Sequence, residues 1–186
     1  MQEIENVLRI FREAKEAIKN NDSYKMKQLS QQTIHSATIY QDPDNIIVAV
    51  LIYSLGKIIE REHYKKMNGW DSFYKNVTRE LEKTISCLEK KDLEGFRLSV
   101  GKIRNFVNKI PGDLRGYIQD VFRKAGINKA FKIYEHGLSS EQTAKLLGIS
   151  LWDLATYIGQ SSISEAKVSE SLPVKERIKY AEEIFK

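Results

Sequence analysis

The sequence predicts an all-α protein: an N-terminal antiparallel helical bundle, then a helix-turn-helix, then a C-terminal amphipathic helix. Three observations predict it. Apolar residues recur at spacings of three and four almost throughout. No alternating apolar–polar run of useful strand length occurs. The breaks between periodic segments carry capping and turn residues at helix-boundary positions.

The opening stretch "MQEIENVLRIFREAKEAIKN" sets Ile4, Val7, Leu8, Phe11, Ala14 and Ile18 on one stripe. Asp22 or Ser23 caps a second helix, with Leu29, Thr33, Ala37 and Tyr40 on one face. In "QDPDN", Asp42 as N-cap and Pro43 at the first helical position start a third helix, expected to run to about His63. Its run "IIVAVLIY" is apolar nearly all round, which puts it at the centre of the bundle. Ser54, Gly56 and Lys57 interrupt that run, and it is short for a membrane span. "MNGW" is a stop signal, with Gly69 as the expected C-cap. Asp71 or Ser72 begins a helix showing Phe73, Val77, Leu81, Ile85 and Leu88. "KKDLEG" breaks it, and Leu93, Phe96, Val100, Ile103 and Val107 form the next stripe. "IPGD" ends that helix, because Pro111 cannot continue the hydrogen-bond ladder. Leu114, Tyr117, Ile118, Val121 and Phe122 follow, then Ile127, Phe131 and Tyr134. After Gly159, "QSSISEAKVSESLP" is Ser-rich and aperiodic, as a linker is. Pro173 opens a last helix with Val174, Ile178, Ala181 and Ile184 or Phe185 on one face. The expected division is a bundle at 1–110, basic helices and the helix-turn-helix at 111–160, and linker and C-terminal helix at 161–186.

The length of 186 residues fits one large domain or two small ones, and 41% apolar residues suffice for a core. No internal repeat is evident. A formal charge of +5 biases the chain mildly toward anionic partners. The single cysteine, Cys87, excludes an internal disulfide and predicts a reduced, cytoplasmic setting; it reads as a core filler. The charged, amphipathic start is unlike a secretory signal, and no membrane association is expected.

Residues 137–159, "GLSSEQTAKLLGISLWDLATYIG", meet the demands of a helix-turn-helix. Ser139 or Ser140 caps the first helix, Ala144 is small at the crossing, and Gly148 supplies the turn. Ser150 caps the second helix, and Leu154 with Tyr157 or Ile158 anchors its inner face. The outward positions are then Ser150, Leu151, Trp152, Ala155, Thr156 and Gln160. Ser150, Trp152, Thr156 and Gln160 are the candidates for a DNA groove. The segment holds Lys145 as its only Lys or Arg, set against Glu141 and Asp153, which disfavours guanine readout. Positive charge lies upstream, and Arg123, Lys124, Lys129 and Lys132, nearest the motif, are the candidate phosphate contacts. The rival reading makes Leu151 and Trp152 a protein-contact surface. The blandest reading packs Trp152 against the preceding helices.

The segment resembles the helix-turn-helix of many transcriptional regulators. "LLGISLWDLATYIG", a polar spacer and "SLPVKERIKYAEEIF" together resemble archaeal antitoxin-like proteins that pair with PIN-domain ribonucleases. The matching positions are 148–159 and 172–185, and the long N-terminal bundle departs from the pattern. The resemblance implies binding of double-stranded operator DNA and neutralisation of a toxin by the C-terminal arm, with Val174, Ile178 and Ile184 as anchors. It also suggests that the bundle is an added dimerisation or sensing module, so a homo-oligomer is expected.

Catalytic and metal signals are poor, and the chain reads as non-enzymatic, without cofactor or metal. His35, His63 and His136 are dispersed. "EREH" puts Glu60 and His63 at the Glu-x-x-His spacing of carboxylate-bridged iron bundles, but no second such pair exists. Zinc-ligand spacing and a Gly-rich phosphate loop are both missing. Asp42, Asp44 and Asn45 are explained by helix capping before any cation.

Overall fold

A helix that is apolar on every side must be covered on every side, and that requirement organises the molecule. The computed structural model describes residues 1, 3–40, 43–135, 139, 141, 152, 155 and 156. Among the described residues there are six α-helices, α1 (Ile4–Lys19), α2 (Ser23–Tyr40), α3 (Pro43–Ile59), α4 (Trp70–Glu89), α5 (Leu93–Asn108) and α6 (Asp113–Glu135), with a 3-10 turn at Glu62–Lys66. None of them is long and apolar enough to cross a membrane.

The apolar helix α3 packs against α1, α2 and α6. Ile46, Val48, Ala49, Ile52, Leu55 and Ile58 are all buried within it. The approach of α2 is close: a Cβ on Gly56 would sit 2.7 Å from Met26 Cβ, so a glycine is needed there. Ser30 of α2 donates its hydroxyl to the Ala49 carbonyl at 2.8 Å across the same seam. The cross-helix ion pairs Arg12–Glu89 (2.7 Å) and Lys15–Glu82 (2.9 Å) show that α1 and α4 run antiparallel. Phe11 of α1 meets Phe96 of α5 edge-to-face at 6.0 Å, which ties α5 to the same core.

Two turns are built alike. After α1, Asn21 adopts a left-handed φ of 56°, and after α4, Lys91 adopts 57°. Asp22 N–H donates to the Ala17 carbonyl and Asn21 N–H to Ile18; Asp92 and Lys91 repeat this on Cys87 and Leu88. Asp22 Oδ1 then accepts from Lys25 N–H at 2.8 Å, and Asp92 Oδ1 from Gly95 N–H at 2.9 Å. The buried positions follow the same offset of seventy: Val7 with Val77, Phe11 with Leu81, Ile18 with Leu88, Met26 with Phe96. A repeat not evident from residue identity is therefore present in the turns and the burial pattern.

Three boundaries differ from the expected ones. The third helix stops at Ile59, not His63, because the chain turns to bury Tyr64. Gly69, at φ 92°, leads into α4 and does not close a helix. The core runs across the expected domain boundary at residue 110: Leu114, Ile118 and Val121 of α6 share one core with α1 and α3. Helix α6 runs continuously through Gly126. Asp44 is an ion-pair partner: buried, it accepts from Arg97 Nε at 3.0 Å and Nη2 at 2.8 Å.

The left-handed lysine yields a test. A side chain at that φ is disfavoured by about 1–2 kcal/mol, and glycine relieves this less its own chain entropy. Lys91→Gly is expected to raise the unfolding free energy by about 0.5–1 kcal/mol, read as a higher urea midpoint with unchanged slope.

Candidate functional site

The antiparallel seating of α6 on α3 assembles the most distinctive surface of the protein. Lys57 of the last turn of α3 and Arg61 of the following connector come opposite Arg123 and Lys124 of α6. They line a cleft of about 590 Å³, with Val121, Ala125 and Ile127 among its walls and Trp152 and Thr156 at its edge. None of its described lining residues is a carboxylate.

Local packing explains each placement. Tyr64, buried in the 3-10 turn, stacks on Tyr117 of α6 with ring centres 5.9 Å apart, which docks the connector onto α6. Arg61 donates from Nη1 to the Tyr64 hydroxyl at 2.9 Å, and its guanidinium lies 5.3 Å from that ring centre. Lys57 and Lys27 both donate to Glu60, at 3.0 and 2.7 Å. Arg123 and Lys124 both reach Asp120, at 2.8 and 2.7 Å. The Lys27 and Lys57 hydrogen bonds hold the Glu60 carboxyl below its ordinary value, and those from Lys124 and Arg123 do the same for Asp120. Each carboxylate is thus shared by two cations and lies outside the cleft lining, so positive charge is left in excess where the walls face each other.

The expected site residues fare differently. Trp152 is 81% exposed and therefore does not pack into the preceding helices. Ala155 and Thr156 are exposed too, so the described positions of that segment share an outward face at helical spacing. Arg123 and Lys124 are exposed at the cleft, as a phosphate contact requires. Lys129 must be corrected: it is only 3% exposed, with its ammonium 4.2 Å from the Tyr53 ring centre. Its stem faces α3 because it follows Ala125 by four residues on the buried stripe of α6. The side chain of Lys132, and Ser150, Leu151, Gln160, Val174, Ile178 and Ile184, lie outside the described residues.

Lys57 and Arg61 were missed by sequence reasoning, which drew its candidate cations from the basic stretch just upstream of the motif and kept those nearest it. The available signal was their i, i+4 spacing at the end of an otherwise apolar helix, a charged edge on a buried element. Glu60 and His63 do not share a helical face: Glu60 follows α3, and His63 sits in the 3-10 turn with its ring against Tyr64. Among the described residues no group of three or more His, Cys, Asp or Glu is placed to hold a metal ion. Cys87 is half-buried and packs against the core.

No known protein family, characterised protein or solved structure matches this chain.

The shared carboxylate gives a pH test. The Glu60 carboxyl is more acidic folded than its ordinary 4.5, so its stabilisation is complete above that value and is lost as pH falls through the folded one. Glu60→Gln is expected to lower stability at neutral pH by about 0.2–1 kcal/mol, the range for exposed pairs. The difference from wild type should vanish in strongly acidic solution, followed by denaturant unfolding across pH.

Proposed function

We propose that the protein is a non-enzymatic, cytoplasmic DNA-binding regulator whose 150–160 segment is the reading helix of a helix-turn-helix. In this reading Ser150, Trp152, Thr156 and Gln160 enter the groove, and Arg123 and Lys124, joined by Lys57 and Arg61, take flanking phosphates. The observation that carries it is the meeting of the exposed Trp152–Thr156 edge with four cations and no described carboxylate at one cleft. Trp152 and Ala155 offer apolar contact to a thymine methyl, and Thr156 a hydrogen bond to a base edge. The C-terminal segment bearing Val174, Ile178 and Ile184 serves, in an antitoxin-like role, as the arm for a PIN-domain toxin-like protein partner. In this reading the protein acts as a homo-oligomer, whose two-fold symmetry would suit a palindromic operator.

A second reading is favoured by a specific observation. Among the described residues Trp152 is the most exposed of the large hydrophobic side chains, and exposed Trp is a typical anchor of protein interfaces. In that case Leu151 and Trp152 form the contact and DNA plays no part.

Salt separates the two. Duplex binding followed by fluorescence polarisation should weaken steeply with salt, and Arg123→Glu with Lys124→Glu should reduce the log–log slope by about 1 per contact removed. Lys129→Met should leave that slope unchanged, since this ammonium is buried. Duplex binding absent at low salt, with salt-insensitive capture of a partner lost in Trp152→Ala, would favour the protein-contact reading.

A further inference from the structure

A concave site of about 590 Å³ has the size of a small-ligand pocket; a duplex, a rod about 20 Å across, can touch only its rim. Its make-up is divided. Its charged part is Lys57 and Arg61 on one wall and Arg123 and Lys124 on the facing one, and the nearby carboxylates Glu60 and Asp120 are each already shared by two cations. Its apolar part is the buried Val121 and Ala125 together with the exposed indole of Trp152. Exposed ion pairs are weak, so an incoming phosphate can take over their cations at little expense. The guanidinium of Arg61 is pre-positioned by the buried Tyr64 and needs little ordering on binding. An indole edge beside an apolar wall calls for a flat ring. A polyanionic head joined to a planar body is the chemistry of a nucleotide.

We propose that the cleft between α3 and α6 is a nucleotide-binding site, with the phosphate among Lys57, Arg61, Arg123 and Lys124 and the base stacked on Trp152. The ligand is either a free mononucleotide or one nucleotide of a single strand; both present the same group. The site goes beyond duplex recognition and does not depend on it. Since Arg123, Lys124 and Trp152 serve both, a bound nucleotide excludes duplex from the same residues.

The test uses the full chain titrated separately with adenosine monophosphate, a short single-stranded oligonucleotide and inorganic phosphate. Tryptophan fluorescence and calorimetry are the readouts. Trp70 is buried at 7% exposure, so a stacking base should quench Trp152 alone, and saturable quenching should disappear in Trp152→Phe. Trp152→Ala should weaken nucleotide binding about tenfold or more, within the range for one base on one aromatic ring. Lys57→Gln with Lys124→Gln should weaken it comparably at low salt, with helicity by circular dichroism unchanged. Tighter binding of the monophosphate identifies a free nucleotide as ligand, and tighter binding of the oligonucleotide a single strand. Inorganic phosphate binding as tightly as either, full affinity in Trp152→Ala, or no saturable binding would overturn the proposal. Duplex binding without nucleotide binding rejects this site and leaves the regulator reading intact; nucleotide binding without duplex binding does the reverse.

Discussion

The burial of α3 is the constraint on which the rest of the structure depends. Its run from Ile46 to Ile59 exposes almost nothing: Ile47, at 45%, is its one exposed large apolar side chain. Such a helix cannot sit at the edge of a bundle, because each bare leucine or isoleucine forfeits about 1.5–3 kcal/mol of burial. Helices α1, α2 and α6 accordingly surround it, and Gly56 admits α2 at a distance a larger residue would forbid. Inside it, Ser54 donates to the Val50 carbonyl one turn back at 2.7 Å.

The cleft is a by-product of that requirement. Covering the far side of α3 brings α6 antiparallel to it, which sets the first charged residues after the apolar run opposite the middle of α6. Lys129 shows the same force at its limit. Its position on the buried stripe is fixed by helical period, so its ammonium is held over the Tyr53 ring and not in water. The neighbouring Arg123 and Lys124, off that stripe, remain at the surface. Five or six residues along one helix thus separate a cation that supports packing from two that stand at the surface, held only by an exposed carboxylate.

Periodicity made the helices legible, since burial of one face at 3.6 residues per turn is written directly in the order of apolar residues. Asp22 as a cap, Pro43 at a first turn and Pro111 as a stop were readable because each acts within a few residues of itself. The end of α3 was not, because what stops it is a long-range event, the stacking of Tyr64 on Tyr117. The paired turns escaped notice for a related reason: Asn21 and Lys91 share a backbone conformation and not a side-chain type. At the site, Arg123, Lys124, Trp152 and Thr156 were legible as polar or outward positions near one motif. Lys57 and Arg61 were hidden because their proximity to α6 exists only in three dimensions.

Gathering four cations around one cleft opposes folding, since like charges at short range repel. The arrangement limits this without cancelling it. Glu60 and Asp120 each neutralise part of a pair from behind, while the faces turned toward the cleft keep their field. Carboxylates placed within the cleft would have stabilised the empty protein more, and would have repelled any phosphate. The apolar burial of α3 is large enough to tolerate the residual repulsion, and so the same helix that dictates the fold also permits an electropositive surface at its end.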